Sequence, residues 1–223
     1  MTGNGMTHDA VLDRLRDARV VPVITIDDPS DAVPLARALA AGGLACVEIT
    51  FRTPRAAEAL RRICTEVPEI VAGAGTVLTP AQVRTARDAG TQFVVAPGLN
   101  ARVVNECRER AIPIYPGVAT PTEIEAALEL GLETLKFFPA EPMGGLAYLK
   151  AIAAPYVDVR FMPTGGVSAS NVASYLAFSR VVACGGSWMA PADRIAAKQF
   201  DWIQAEARRA SDAARGKAPA VTV

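Results

Sequence analysis

The strongest constraint on this chain is a repeating pattern. Short apolar runs recur along it, and most are followed by an Ala-rich stretch with apolar residues at helical spacing. The runs fall at 20–26, 45–51, 70–74, 92–96, 112–115, 133–138, 159–162 and 181–184. Helical spacing occupies 31–41, 54–66, 80–89, 101–110 and 122–130, with Gly42, Gly90 and Gly131 as stop signals. Thr79-Pro80 reads as a helix cap followed by proline at the first helical position. Residues 10–19 read as an extra helix before the first strand, and 193–214 as the final helix.

A strand followed by a helix, eight times over, predicts a (β/α)₈ TIM barrel with an extra N-terminal helix. One domain over 1–215 is expected, with 216–223 as a flexible tail. A doubly wound open sheet is the rival, and the strand count favours the barrel. The 223 residues fall a little below the roughly 250 typical of that fold.

Composition narrows the function. Lys plus Arg and Asp plus Glu both number 23, so the formal net charge is +0. Nucleic-acid binding needs a basic surface, so no such partner is expected. No apolar stretch approaches the roughly 18 residues of a membrane span. The polar start, with Met1 and Met6 as alternative initiators, carries no apolar signal region. A cytoplasmic protein with no membrane partner is the expectation.

Cys46, Cys64, Cys107 and Cys184 form no C-x-x-C pair, so reduced, mostly buried thiols are expected. His8 is the only histidine and falls in an N-terminus expected to fray. A Ser-His-Asp triad, a Cys-His pair and a histidine-held metal are therefore excluded. Acid–base work must fall to carboxylates, lysine, tyrosine or water.

Of four lysines, Lys150, Lys198 and Lys217 are expected in helices or the tail. Lys136 lies inside the sixth apolar run. Side chains alternate along a strand, so Thr134, Lys136 and Phe138 share one face and Leu135 and Phe137 the other. Leu135 and Phe137 suit the helix side, which turns Lys136 into the barrel. Burial disfavours a charged amine, and a neutral amine can attack a carbonyl. An ordinary lysine, with a pKa of about 10.4, is only about 0.04% neutral at pH 7. Two readings stand: a Schiff-base nucleophile and a structural buried ion pair.

Charges also interrupt the second run, where Glu48, Thr50 and Arg52 share the inward parity. Glu48 can move protons near the lysine, and Arg52 offers a planar fork for a carboxylate. An internal Glu48–Arg52 ion pair is the structural alternative. Pro163-Thr164-Gly165-Gly166 and Gly185-Gly186-Ser187 are placed after strands seven and eight. Loops there commonly cradle phosphate in this fold, because glycine lets backbone N–H groups approach an anion. Gly73-Ala74-Gly75-Thr76 ends the third strand and either leaves room at the site, with Thr76 supplying a hydroxyl, or only makes a tight turn; Pro97-Gly98 reads as a turn.

Taken together, these segments resemble the 2-keto-3-deoxy-6-phosphogluconate / 4-hydroxy-2-oxoglutarate aldolase family. The resemblance runs from Val20-Val21-Pro22-Val23 to Gly185-Gly186-Ser187-Trp188. It rests on Glu48-Ile49-Thr50-Phe51-Arg52-Thr53-Pro54, Gly73-Ala74-Gly75-Thr76-Val77-Leu78, Pro97-Gly98, Lys136-Phe137-Phe138-Pro139-Ala140-Glu141 and Pro163-Thr164-Gly165-Gly166, in family order. It implies Lys136 as the Schiff-base lysine and Glu48 as the general acid/base. Arg52 and Thr76 would hold the pyruvate-end carboxylate, and Pro97 and Phe138 would wall the imine. Thr164 would lie near the substrate chain, with Gly165, Gly166, Gly185 and Ser187 at the phosphate.

The implied partners are a phosphorylated keto-deoxy sugar acid, pyruvate and glyceraldehyde 3-phosphate. No metal and no cofactor is expected. A homotrimer and a place in the Entner–Doudoroff pathway are also implied. The alternatives are the same chemistry on 4-hydroxy-2-oxoglutarate or the galactonate epimer, a phosphosugar isomerase or epimerase, and a non-catalytic binding barrel.

Overall fold

A computed structural model describes residues 7–216. The alternative starts Met1 and Met6, and all of the expected tail except Gly216, lie outside these residues. The chain opens with helix α1 (His8–Ala18), capped by Thr7, whose hydroxyl accepts from the Ala10 N–H. His8 is therefore the first residue of a capped helix, not part of a frayed end. Strand and helix then alternate: β1 (Val20–Ile24), α2 (Ala32–Ala41), β2 (Cys46–Thr50), α3 (Ala56–Glu66), β3 (Val71–Gly75), α4 (Pro80–Asp88), β4 (Phe93–Val95) and α5 (Ala101–Glu109). Next come β5 (Ile114–Tyr115), β6 (Gly117–Val118), α6 (Pro121–Glu129), β7 (Thr134–Phe137), α7 (Gly145–Ala153), β8 (Arg160–Pro163), α8 (Val172–Leu176), β9 (Cys184–Gly186), α9 (Ala192–Ala196) and α10 (Phe200–Ala214). Among the described residues no helix is long and apolar enough to cross a membrane.

All strand pairs are parallel, in the orders β5-β4-β3-β2-β1-β9 and β6-β7-β8. β5 and β6 are two halves of one barrel strand, which runs past the expected end at residue 115. Pro116 splits them because it has no N–H to give the ladder, yet its carbonyl still accepts from the Lys136 N–H at 2.9 Å. The other seam closes through bridges from Phe161 to Val181 and from Thr164 to Gly185. The result is the expected eight-stranded barrel.

Two further expectations are corrected. The eighth strand was expected at 181–184, but regular pairing covers Cys184–Gly186. Gly185 and Gly186 are thus strand residues, and the loop begins only at Ser187. Glycine usually signals a break, but here the space a side chain would need is occupied by Thr164 and Trp188. The final helix is two helices, divided at Lys198, whose backbone is left-handed (φ +55°). Lys198 pairs with the buried Asp31 at 3.3 Å across that break. Helices α7 and α8 escaped the periodicity reading, since α7 opens on glycines and α8 spans only 5 residues.

Two cores result from strand alternation. Val47, Ile49, Ala72, Ala74, Val94, Leu135 and Phe137 point outward against the helices. Val21, Cys46, Val71, Phe93, Val95, Tyr115 and Met162 point inward and meet Val11 and Leu15 of α1. The extra helix therefore plugs the barrel from below, and the polar inward residues are left for its upper half.

Candidate active site

Lys136 lies on β7 in register with Gly117 on one side and Met162 on the other. Its outward neighbours Leu135 and Phe137 are fully buried, so parity turns its side chain inward as expected. Glu48 lies on β2 in register with Val23 and Gly73. The Lys136 Nζ stands 3.7 Å from Glu48 Oε1, with side-chain exposures of 7% and 4%. Such low exposure means the pair interacts with little screening by water. Glu48 Oε1 accepts no hydrogen bond among the described residues. A buried carboxylate oxygen with spare acceptor capacity is unusual enough to need a reason. The centroid of the Phe138 ring lies 5.0 Å from Nζ, so the ring flanks the amine on another side.

Small residues make the space. A side chain at Gly75 would bring its Cβ to 2.1 Å from Glu48 Oε1 and 2.5 Å from its Cγ. A Gly75→Ala variant should therefore push the carboxylate aside. Displacements of about 1 Å near reacting groups can cost about 10²-fold in rate, so a loss of that order in kcat is expected. Steady-state kinetics beside a urea melt would test this, and an unchanged kcat would refute the tight fit. A Cβ at Gly117 would lie 2.1 Å from the Pro97 carbonyl oxygen, so Pro97 rests on the residue paired with Lys136.

Lys136, Glu48, Thr164 and Gly185 line one small cavity whose floor includes Val95 and Met162. Those floor residues went unmarked in the sequence, although inward strand parity would have found them. Thr76, Pro97, Gly165, Gly166 and Ser187 follow the C-terminal ends of β3, β4, β8 and β9, on the same side of the barrel as the amine. Thr76 follows β3 with φ +55°, a left-handed backbone that is strained for a β-branched residue. Such outliers persist where surrounding structure imposes them, often at functional sites.

Arg52 departs from the reading. Strand β2 ends at Thr50, so Arg52 is an exposed turn residue beyond the strand. No ion pair joins it to Glu48 among the described residues, because the lysine takes that place. The fork is left available at the barrel mouth. Thr50, inward by the parity read from the sequence, donates through Oγ1 to the Ile24 carbonyl at 3.1 Å and lies 2.9 Å from Oγ1 of Thr25, which the sequence reading left unmarked.

Gly165 and Gly166 turn the chain after β8 with φ of +99° and +83°. Asn171 braces the turn: its Oδ1 accepts from the Ser168 N–H at 2.8 Å, and its Nδ2 donates to the Gly166 carbonyl at 3.2 Å. Neither the Gly166 nor the Ser187 N–H donates to a backbone carbonyl among the described residues. The thiols are unsuited to nucleophilic work. Burial pushes Cys46, Cys107 and Cys184 up to about 12, and Cys64 up to about 11.

Comparison with known proteins agrees with this geometry. The family model described as "KDPG and KHG aldolase" matches residues 11–206. The chain belongs to the KDPG/KHG aldolase family. A 2-dehydro-3-deoxy-phosphogluconate aldolase of Treponema pallidum is 53% identical over 195 residues, covering 87% of this chain and 93% of that protein. The 2-keto-3-deoxy-6-phosphogluconate aldolase of Zymomonas mobilis, solved with 3-phosphoglycerate, matches with a TM-score of 0.85 and 42% identity, over 92% of this chain and 96% of that one. A KDPG aldolase from Legionella pneumophila matches with a TM-score of 0.86 and 37% identity, over 91% and 97%. That structure holds pyruvate captured as a covalent carbinolamine intermediate. As a member of this family the chain is a carbon–carbon lyase of the aldolase type.

Proposed function

We propose that this chain reversibly splits 2-keto-3-deoxy-6-phosphogluconate into pyruvate and glyceraldehyde 3-phosphate through a Schiff base on Lys136. One observation carries the reading: a buried lysine amine stands 3.7 Å from a carboxylate oxygen that has no hydrogen-bond partner among the described residues. A structural ion pair would be expected to have its remaining acceptors satisfied. A proton-transferring carboxylate instead needs one free for substrate or water. The carbinolamine in the Legionella relative supports the same chemistry.

In this reading the Lys136 amine attacks the C2 ketone and forms a carbinolamine. Loss of water leaves a protonated imine, which acts as an electron sink. Glu48 removes the C4 hydroxyl proton, directly or through water, and the C3–C4 electron pair moves into the imine. Glyceraldehyde 3-phosphate departs, and an enamine remains. A proton returned to C3 and hydrolysis of the imine release pyruvate and regenerate the amine. Arg52 and Thr76 hold the carboxylate, Phe138 and Pro97 wall the imine, and Thr164 faces the substrate chain. The N–H groups at Gly166 and Ser187, with Gly165 and Gly185 leaving room, receive the phosphate. Those unengaged donors favour a phosphorylated substrate over 4-hydroxy-2-oxoglutarate. A homotrimer, a cytoplasmic setting and the Entner–Doudoroff pathway belong to the same proposal.

Borohydride reduction in the presence of pyruvate tests it directly. Mass spectrometry of the peptide containing residue 136 should show a reduced pyruvate adduct on that lysine. A folded, pyruvate-exposed protein without the adduct would favour an isomerase or a binding barrel, neither of which needs an imine.

A further inference from the structure

Beyond β7 the chain turns at Phe138-Pro139 and runs beside the start of the Gly165-Gly166 loop. The Ala140 N–H donates to the Thr164 carbonyl at 2.9 Å, and the Glu141 N–H donates to the Gly165 carbonyl at 2.9 Å. Glu141 lies against Gly166, where an added Cβ would come within 2.5 Å of the Glu141 Cβ. A carboxylate is thus held beside the backbone donors assigned above to an anionic phosphate. Left free, it would repel that phosphate or compete for the same N–H groups.

The carboxylate is not free. Tyr175 Oη on α8 donates to Glu141 Oε1 at 2.5 Å. Gly145 gives the contact room, since a Cβ there would lie 3.1 Å from that oxygen and 3.4 Å from the Tyr175 hydroxyl. Tyr175 is 1% exposed, so its ring is fixed by packing. Burial, then the hydrogen bond to Glu141, raises its phenol above the ordinary value and keeps it a donor at neutral pH. Asn171, which braces the Gly166 turn, stands one helical turn earlier, and its carbonyl accepts from the Tyr175 N–H at 3.3 Å. One turn of α8 therefore fixes both the loop and the carboxylate beside it.

We propose that Tyr175 and Glu141 form a positioning pair that turns the carboxylate away from the phosphate loop and so sets the preference for phosphorylated over phosphate-free substrate. This rests on the reading of the site as a phosphate-binding 2-keto acid aldolase. Neither residue touches the reacting atoms, so the effect belongs to binding of the phosphate end.

The test compares 2-keto-3-deoxy-6-phosphogluconate with 4-hydroxy-2-oxoglutarate. Tyr175→Phe should raise KM for the phosphorylated substrate about tenfold, the scale of one charge-assisted hydrogen bond. Its kcat, and both constants for the phosphate-free substrate, should stay within about twofold. Adding Glu141→Gln to Tyr175→Phe should recover most of the loss, because the freed side chain is no longer an anion. Equal KM changes on both substrates, a fall in kcat alone, or no recovery in the double variant would overturn the proposal. Glu141→Gln alone keeps an acceptor for Tyr175 and should retain near-normal KM for both substrates. It keeps the question decidable should Tyr175→Phe fold poorly, because a tenfold rise there would also overturn it. Borohydride trapping of pyruvate on the unaltered protein separates the two levels. No adduct removes the aldolase reading, whereas a normal adduct with unchanged selectivity removes only this inference.

Discussion

Replacing Lys136 with alanine should lower aldol cleavage by at least roughly 10⁴-fold, about 5.5 kcal/mol of barrier. The amine is the proposed nucleophile and the origin of the electron sink, and no neighbouring group can take its place. Lys150 is exposed on α7, and Lys198 is engaged with Asp31. Borohydride trapping should fall with turnover. The same change leaves Glu48 buried without its cation, a loss of about 3–5 kcal/mol when one partner of a buried pair is removed. Urea melts should accompany the kinetics, and Lys136→Met with Glu48→Gln provides a charge-free pair that fills similar space. Near-normal pyruvate release by a folded Lys136→Ala protein would end the Schiff-base mechanism.

Glu48→Gln should lower kcat by about 10²–10³-fold, the range for loss of a positioned acid or base. Pyruvate binding should weaken far less. The amide keeps the shape of the carboxylate at the gap left by Gly75, so geometry is preserved while proton transfer is not. Separate measurement of kcat, KM and the pyruvate dissociation constant distinguishes the roles. A change confined to KM would return Glu48 to a structural ion pair with Lys136.

The barrel was legible because two periods coexist in the chain. Outward residues such as Leu135 and Phe137 alternate with inward ones along strands, and apolar residues recur at helical spacing between them. Burial on opposite faces of one sheet forces that alternation, so the direction of Lys136 could be read from its neighbours. Glycine was harder to read. Gly185 and Gly186 resemble a turn locally, yet sit in β9 because Thr164 and Trp188 fill the space beside them. Proline misled in the other direction: Pro116 breaks a ladder without ending the barrel strand.

Arg52 shows the limit of parity. It holds only while the strand continues, and β2 stops at Thr50. The Glu48–Arg52 ion pair, the structural alternative in the sequence, would join residues four apart. The observed Glu48–Lys136 pair joins β2 to β7 across the barrel interior. Likewise Glu141 and Tyr175 carry no shared local pattern and meet only because the loop after β7 lies against α8.

By itself, then, the sequence determined the alternating strand–helix order, the inward face of each strand and the residue types available for chemistry, because these follow from local periodicity and composition. Only the tertiary structure decided which inward charges meet, where glycine opens space and which loops brace one another. Those depend on contacts between segments distant in the chain, and barrel closure sets them.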